Sequence, residues 1–434
     1  MRAQERSDPH PLLRANHRFN KLWASHAFSS LGTSASLMAL PLVAVQYFHG
    51  DTLEVGLLMA AQQAAWIVIG LPAGAWVDRL GHRKLMLLCD WARGILLAVL
   101  LGIALLHLSI AYAIVAAFLI GVCTVFFTIA YQAMVPHEVR KQDLPAANRR
   151  LTYTQTGAQV FGLGIAGLLV QFVGSGGALL FNAFCFTASA ILIMLIPPRQ
   201  VDDTHNASRR PILKEIGEGV RYVWQDSRIR ALSLVSANVN FFGAMQQAVL
   251  VVFLVQEAHL AEGVAGALLA AAGIGGVCGA ALGHKINARM GAGEGTIVVM
   301  LVGSALGLLI PLTFKGVGLA FFLVGYVALW SMVIMFSAVS SSFRQAVCPK
   351  DMLGRMSATS RFLTWGVLPL GSAIGGVLGS SLGERTVLWI TAVGFIGCPA
   401  WLLFTKARRL PELDSEVRNR QSRDTERAFR QVQG

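Results

Sequence analysis

The chain has 434 residues, 55% of them hydrophobic and only 14% charged, with a mean hydropathy of +0.58. Soluble domains carry about 25% charged residues, so the composition excludes a soluble domain and points to a chain embedded in a bilayer. The net charge of +13 raises nucleic acid as a partner, but no basic, aromatic-interleaved domain stands outside the apolar segments to bind it.

A helical span needs roughly 20 apolar residues, and on that rule the chain reads as twelve spans. A tail (1–18) leads into span one, Phe19–Phe48, which is too long for a signal-peptide core and has no small-residue cleavage site. One face of it carries His26, Ser29, Ser30 and Thr33. Span two is Leu53–Val77. A compact polar stretch follows, Gly74 to Lys84, with Asp78, Arg79, Gly81 and Arg83 between. Span three, Leu85–His107, holds Asp90 and Arg93, three residues apart and so on one helix face. Span four, Ile110–Met134, contains no charge. Spans five and six, Arg150–Phe172 and Gly176–Ile196, complete a first half (19–196).

The polar linker 197–228 precedes a second half (229–404). Its spans are Ile229–Val255, Gly263–Ile286, Gly295–Phe314, Val317–Ser341, Met356–Leu382 and Thr386–Phe404. The charged tail 405–434 reads as disordered. Of the 36 Lys and Arg, all but Arg93, Lys315 and Arg385 fall in the tails, in loops of one side or at the span ends beside them. Basic loops stay in the cytoplasm. Both termini and the linker are therefore expected there, in a multi-pass protein of the inner (plasma) membrane.

An internal repeat supports two six-helix halves. A Pro-x-acid turn leads into a glycine-dense span twice, from Pro136 to Gly167 and from Pro349 to Gly376. Parallel repeats of this kind recur in transporters, with substrate bound between the halves. The stretch His284 to Gly291 is a worn copy of the polar loop after span two, keeping Arg-x-Gly without the aspartate.

Each residue of that loop has a physical reason. Gly74 lets another helix approach closely. Asp78 can sit beside the positive N-terminus of span eleven. Gly81 permits the turn. Arg79, Arg83 and Lys84 can pair with acids on neighbouring segments. Such contacts would close the cytoplasmic side and break when it opens.

The run G-x-x-x-D-R-x-G-x-R-K from Gly74 to Lys84 resembles the signature loop of the major facilitator superfamily. Leu213–Trp224, Ser342–Pro349, Gly354–Met356, Arg361 and Pro369–Gly376 resemble the branch that holds macrolide and enterobactin exporters. The resemblance covers about Phe19 to Phe404. It implies an all-α membrane protein of twelve transmembrane helices in two six-helix repeats. It further implies efflux of a small organic molecule by alternating access, with protons as coupling ion. A lipid flippase or an importer of the same fold is the alternative, and a scaffold or sensor the reading outside transport. Three departures stand out. Leu31-Gly32-Thr33 replaces a Leu-Gly-Asp run, span four lacks an arginine, and Leu163 stands where the span-five motif has proline. The proton carrier is thus left without the family's usual residues.

Ionisable groups inside spans cost roughly 2.5–3.5 kcal/mol at the helix centre on insertion scales, so the few present are informative. Asp90 and Arg93 are either a structural ion pair or part of proton coupling. His26 is either a packing histidine or, with its reference pKa of about 6.5, a proton exchanger. Ser30, Thr33, Asn238, Phe242 and Met245 are candidates for a neutral, amide-rich cavity that suits uncharged or amphipathic molecules. Gly162, Gly167, Gly371, Gly375 and Gly376 are candidates for close helix packing.

Gly162 to Gly167 matches G-x-G-x-x-G, but no strand precedes it and the nucleotide reading fails. The six cysteines form no CxxC pair, which gives neither a disulfide framework nor a metal site. No catalytic motif, metal or cofactor is expected. The expected partners are a small-molecule substrate, protons and membrane lipids, and the protein is expected to be a monomer.

Overall fold

The computed structural model describes residues 16–70, 73–197, 221, 223–348, 359–360 and 362–403. Among them, twelve helices are long and apolar enough to cross a membrane. Spans one to six are His17–Phe48, Thr52–Ile69, His82–Leu105, Ile110–Glu138, Ala146–Val173 and Ser175–Met194. Spans seven to twelve are Ser227–Glu257, Glu262–Asn287, Gly293–Leu312, Gly318–Arg344, Phe362–Leu382 and Glu384–Leu403.

Local chemistry sets several of these ends. Asn16 caps span one by accepting from the Phe19 N–H at 3.1 Å. Asp51 and Glu54 form a capping box at the start of span two. Pro145 stands in the first turn of the helix Leu144–Val173, where its missing N–H costs nothing. That helix begins well before the expected Arg150.

Two sequence expectations are corrected. The helix Thr52–Ile69 ends at Gly70, and a separate helix, Ala73–Leu80, follows. The stretch read as one compact turn is therefore a short helix with a turn only at Gly81, whose φ of +82° suits glycine. Pro136 and Glu138 likewise lie in the last turn of the helix Ile110–Glu138, not in a turn leading to span five. Pro349, Asp351, Gly354–Met356 and Arg361, and Leu213–Trp224 apart from Arg221, Val223 and Trp224, lie outside the described residues.

Left-handed backbone recurs at matched places. His49 and His259 follow spans one and seven, and Gly81 and Gly291 turn into spans three and nine. His107 and Gly316 precede spans four and ten, and Gly174 and Gly383 precede spans six and twelve. The separation within each pair is the same to within one residue. The chain thus repeats its loop geometry in register, as a six-plus-six duplication requires.

The helices group into two compact units. One comprises Met1–Arg209, Ala244–Gly273 and Leu368–Glu384, and the other Arg210–Gly243, Ile274–Val367 and Arg385–Gly434. The first thus holds the first six spans together with the far ends of spans seven, eight and eleven and the first residue of span twelve. In lipid the hydrophobic effect does not drive helices together, so close contact and polar links must. In the first unit, a Cβ on Gly32 would meet Cys185 and Phe186, and one on Gly162 would meet Ser34 and Leu31. Glycine there lets span one lie tightly on spans five and six. In the second unit, Gly275 and Gly279 seat span eight on Val327 and Ser331 of span ten. Large apolar side chains such as Phe161 and Phe172 point outward, as a lipid-facing surface requires.

Candidate functional site

The first unit buries two full charges. Asp90 and Arg93 are 0% and 1% exposed and form an ion pair one turn apart on span three. At 1.5 Å per residue Asp90 lies about 12 Å into its helix. Three neighbouring helices close over the pair. Span one supplies Ser29, whose Oγ accepts from Arg93 Nη2 at 3.0 Å. Span four supplies Phe127 and span six Phe186, with ring centroids 4.5 and 4.2 Å from the guanidinium carbon. A desolvated guanidinium between two aromatic faces gains about 2 kcal/mol or more from each good contact. Ser189 of span six lies beside the Asp90 carboxyl.

His26 joins this cluster. Its ring stacks on Tyr131 at 4.0 Å and 9°, and Tyr131 stacks on Phe127 at 6.3 Å. Its Nε2 lies 3.4 Å from Ser30 Oγ. His26 Nδ1, Asp90 Oδ2, Arg93 Nε and Tyr131 Oη are buried without a hydrogen-bond partner among the described residues. The arrangement therefore holds titratable and donor atoms in one apolar pocket with spare bonding capacity. Ionisable groups held inside spans in this way are costly and rare.

The other sequence candidates separate. Thr33 donates to the Ser29 carbonyl of its own helix at 2.8 Å. In the second unit Asn238 is half-buried, while the Phe242 ring lies against Gly394 and against Phe395 at 6.2 Å. Gly394 carries no side chain to hold the ring off, so Phe242 is used in packing spans seven and twelve. Met245 is 2% exposed, and its backbone fills the space that a Cβ on Gly375 would need.

In the loop after span two, the backbones of Gly74, Asp78 and Arg79 lie in the helix Ala73–Leu80, and their side chains lie outside the described residues. Among the described residues Arg83 meets no acid. It donates to the carbonyls of Ile193 and Met194 at 3.2 and 3.0 Å, at the C-terminal end of span six. Lys84 is exposed. Nearby, Arg18 makes a two-point bond to Glu138 at 2.8 and 3.1 Å, tying spans one and four.

A second set of contacts was not anticipated from the sequence. It lies at the opposite helix ends, away from the basic loops. Span two crosses span eleven at Gly56 and Gly376, and span five crosses span eight at Gly167 and Gly266. A Cβ on Gly56 would stand 2.5 Å from Gly376 Cα, and one on Gly167 2.6 Å from Gly266 Cα. Gly371, 375 and 376 are all buried. Thr52 donates to Glu384, Gln63 to Ser372 at 2.9 Å, and Gln46 to Glu262 at 3.2 Å. The available signal was an acid opening spans eight and twelve on the side that carries few cations.

The Major Facilitator Superfamily model matches residues 22–367. Among relatives, the chain is 24% identical over 398 residues to the multidrug efflux pump Tap of Mycolicibacterium fortuitum, covering 88% of this chain and 93% of that protein. Among solved structures, the nucleoside transporter NupG aligns with a TM-score of 0.70 at 12% identity, over 90% of this chain and all (100%) of that one. A bacterial homologue of the iron transporter ferroportin aligns with a TM-score of 0.70 at 15% identity, over 92% and 100%.

Proposed function

The chain belongs to the Major Facilitator Superfamily, and on that premise we propose that it exports a small organic molecule from the cytoplasm in exchange for protons. It is a twelve-helix transporter with the fold of that superfamily. The similarity to a multidrug efflux pump along nearly its whole length supports the outward direction. NupG and the ferroportin homologue share the fold and differ in cargo, so the fold does not name the substrate.

The observation that carries proton coupling is the buried Asp90–Arg93 pair. Ionisable groups inside spans are rare and mark ion or proton pathways by default. Protonation of Asp90 would leave Arg93 without its counter-charge and disturb the junction of spans one, three, four and six. In this reading His26, stacked on Tyr131 in the same cluster, passes the proton on. The helix Ala73–Leu80, with Asp78, serves as the cytoplasmic gate in this reading.

The test is substrate accumulation in cells stripped of their major pumps, using macrolides, dyes and siderophores with and without an uncoupler. Wild type should lower accumulation of at least one compound, and the uncoupler should abolish the effect. Asp90→Asn and Asp78→Asn should each remove it when export is normalised to the amount of protein in the membrane. Export that ignores the uncoupler, or that Asp90→Asn leaves intact, would overturn the coupling assignment.

A further inference from the structure

Away from the basic loops, the first unit closes along two seams built alike. Gly56 stands four residues after the start of span two and Gly266 four after the start of span eight. Each takes its partner's backbone at van der Waals limits. Gly56 meets Gly376 and the Ser372 carbonyl, and Gly266 meets Gly167 and the Leu163 carbonyl. In both cases the carbonyl lies four residues before the partner glycine. The two crossings are thus the same contact made twice by the internal repeat.

The polar links are not alike. At the seam of spans two and eleven, Thr52 is 4% exposed and bonds to the half-buried Glu384, while Gln63 bonds to the fully buried Ser372 one turn beyond Gly376. At the seam of spans five and eight, the Glu262–Gln46 bond ties span eight to span one instead, at an exposed rim. Positions 52 and 262 are equivalent first residues of spans two and eight, but one is the donor and the other the acceptor. We propose that Thr52–Glu384, backed by Gln63–Ser372, and Gln46–Glu262 are two independent bolts on a pair of equivalent glycine seams. Together they hold the face opposite the basic loops shut, and both must release in each transport cycle. The acceptors are two carboxylates and a hydroxyl, and the donors are a hydroxyl and two amides, so an opened seam leaves no cation stranded and exposes its carboxylates to water. This rests on the alternating-access reading above.

The experiment reads accessibility, which does not require transport. Ala60, one turn deeper than Gly56 on the same helix face and 8% exposed, becomes the reporter as Ala60→Cys. A membrane-impermeant maleimide is added to intact cells, with the parent chain and its native cysteines as baseline. Thr52→Val removes the donor and keeps the side-chain shape. It should speed reporter labelling about fivefold, below the full value of a hydrogen bond to a charged acceptor because Glu384 is half-exposed. Gln46→Met at the exposed rim should give about twofold, and the double variant about the product, roughly tenfold. Unchanged labelling in both single variants, with both monodisperse in detergent, would overturn the proposal, as would a double variant no faster than Thr52→Val. Cross-linking Thr52→Cys to Glu384→Cys should stop export that either single cysteine permits, and continued export with the cross-link complete would also overturn it. If export is never seen but labelling follows this order, the bolts stand and the export reading falls.

Discussion

Asp90→Asn keeps the shape of the side chain and removes its charge, which leaves Arg93 as a lone cation 1% exposed in the span region. Removing one partner of a buried pair costs about 3–5 kcal/mol, and a lone charge within a span costs roughly 2.5–3.5 kcal/mol on insertion scales. Arg93 retains Ser29, Phe127 and Phe186, so the lower figure applies, about 3 kcal/mol. Arg93→Met should cost less. It forfeits the ring contacts and one hydrogen bond, but the carboxyl left behind can take a proton and become neutral, whereas a guanidinium cannot lose one. The double variant should return to the level of Arg93→Met, a coupling of about 3 kcal/mol between the two positions, equal to the whole cost of Asp90→Asn. Reversible unfolding of the reconstituted protein by steric trapping reads these values directly. Asp90→Asn should raise the unfolding equilibrium constant by roughly 100-fold. An Asp90→Asn protein within 0.5 kcal/mol of wild type would refute the reasoning, because it would mean that Arg93 is solvated and the pair is not buried in function.

The glycine seams make a graded prediction. Gly56→Ala places a methyl against the backbone of Gly376 and should cost about 1–3 kcal/mol as overpacking. In Gly164→Ala the new methyl meets only Ala270 Cβ, at 3.8 Å, and the same unfolding assay should register little change; equal effects at the two sites would contradict the packing described. Asp226, just before span seven, accepts from the Arg228 N–H at 2.8 Å and pairs with its guanidinium at 3.3 Å. Burial tends to raise its carboxyl, but the bonds from the Arg228 side chain and backbone, the charge of Arg228 and the Ile229 N–H together hold it below the usual carboxylate range. A lowered folded-state pKa gives stability that is full above the unfolded value and is lost as pH falls. Asp226→Ala should therefore cost about 1 kcal/mol as a lost helix cap. That difference from wild type should be flat above about pH 5 and shrink below about pH 4; a difference independent of pH would assign the cost to backbone propensity alone.

Span positions were legible because each apolar run is long and bounded by polar residues, and the Asp90–Arg93 pairing followed from helical spacing. What escaped depended on which helix meets which. Gly74 to Lys84 reads as a turn from its polarity, yet Ala73–Leu80 is helical, because the only left-handed residue there is Gly81. Arg83 reads as a partner for an acid, yet it bonds to the carbonyls at the end of span six. Phe242 shares a helix face with Met245, yet a glycine in span twelve draws its ring into packing. Of the seams, Gly167 and Gly376 stood out as packing glycines, but their partners Gly266 and Gly56 could not be read, since nothing in either local run names the other.

The repeat supplies its own control for the role of the buried pair. The register that matches Gly81 with Gly291 sets Met300 opposite Asp90 and Gly303 opposite Arg93. Met300 is 0% exposed, and a Cβ on Gly303 would press on Met332 and the Ala328 carbonyl. The second half therefore closes the same place in the fold with an apolar side chain and a close backbone approach, at no desolvation cost. Packing does not demand a charge pair in span three, and replacing a buried pair by well-fitted apolar residues is often neutral or stabilising. A charge pair at that place therefore fits the proposed coupling role, which packing alone would not require. Asp90→Met with Arg93→Ala, which brings the first half close to the second, should give folded protein at wild-type level in the membrane whose export no longer responds to an uncoupler. Full uncoupler-sensitive export by that variant would assign the pair to packing and move the proton carrier elsewhere in the chain.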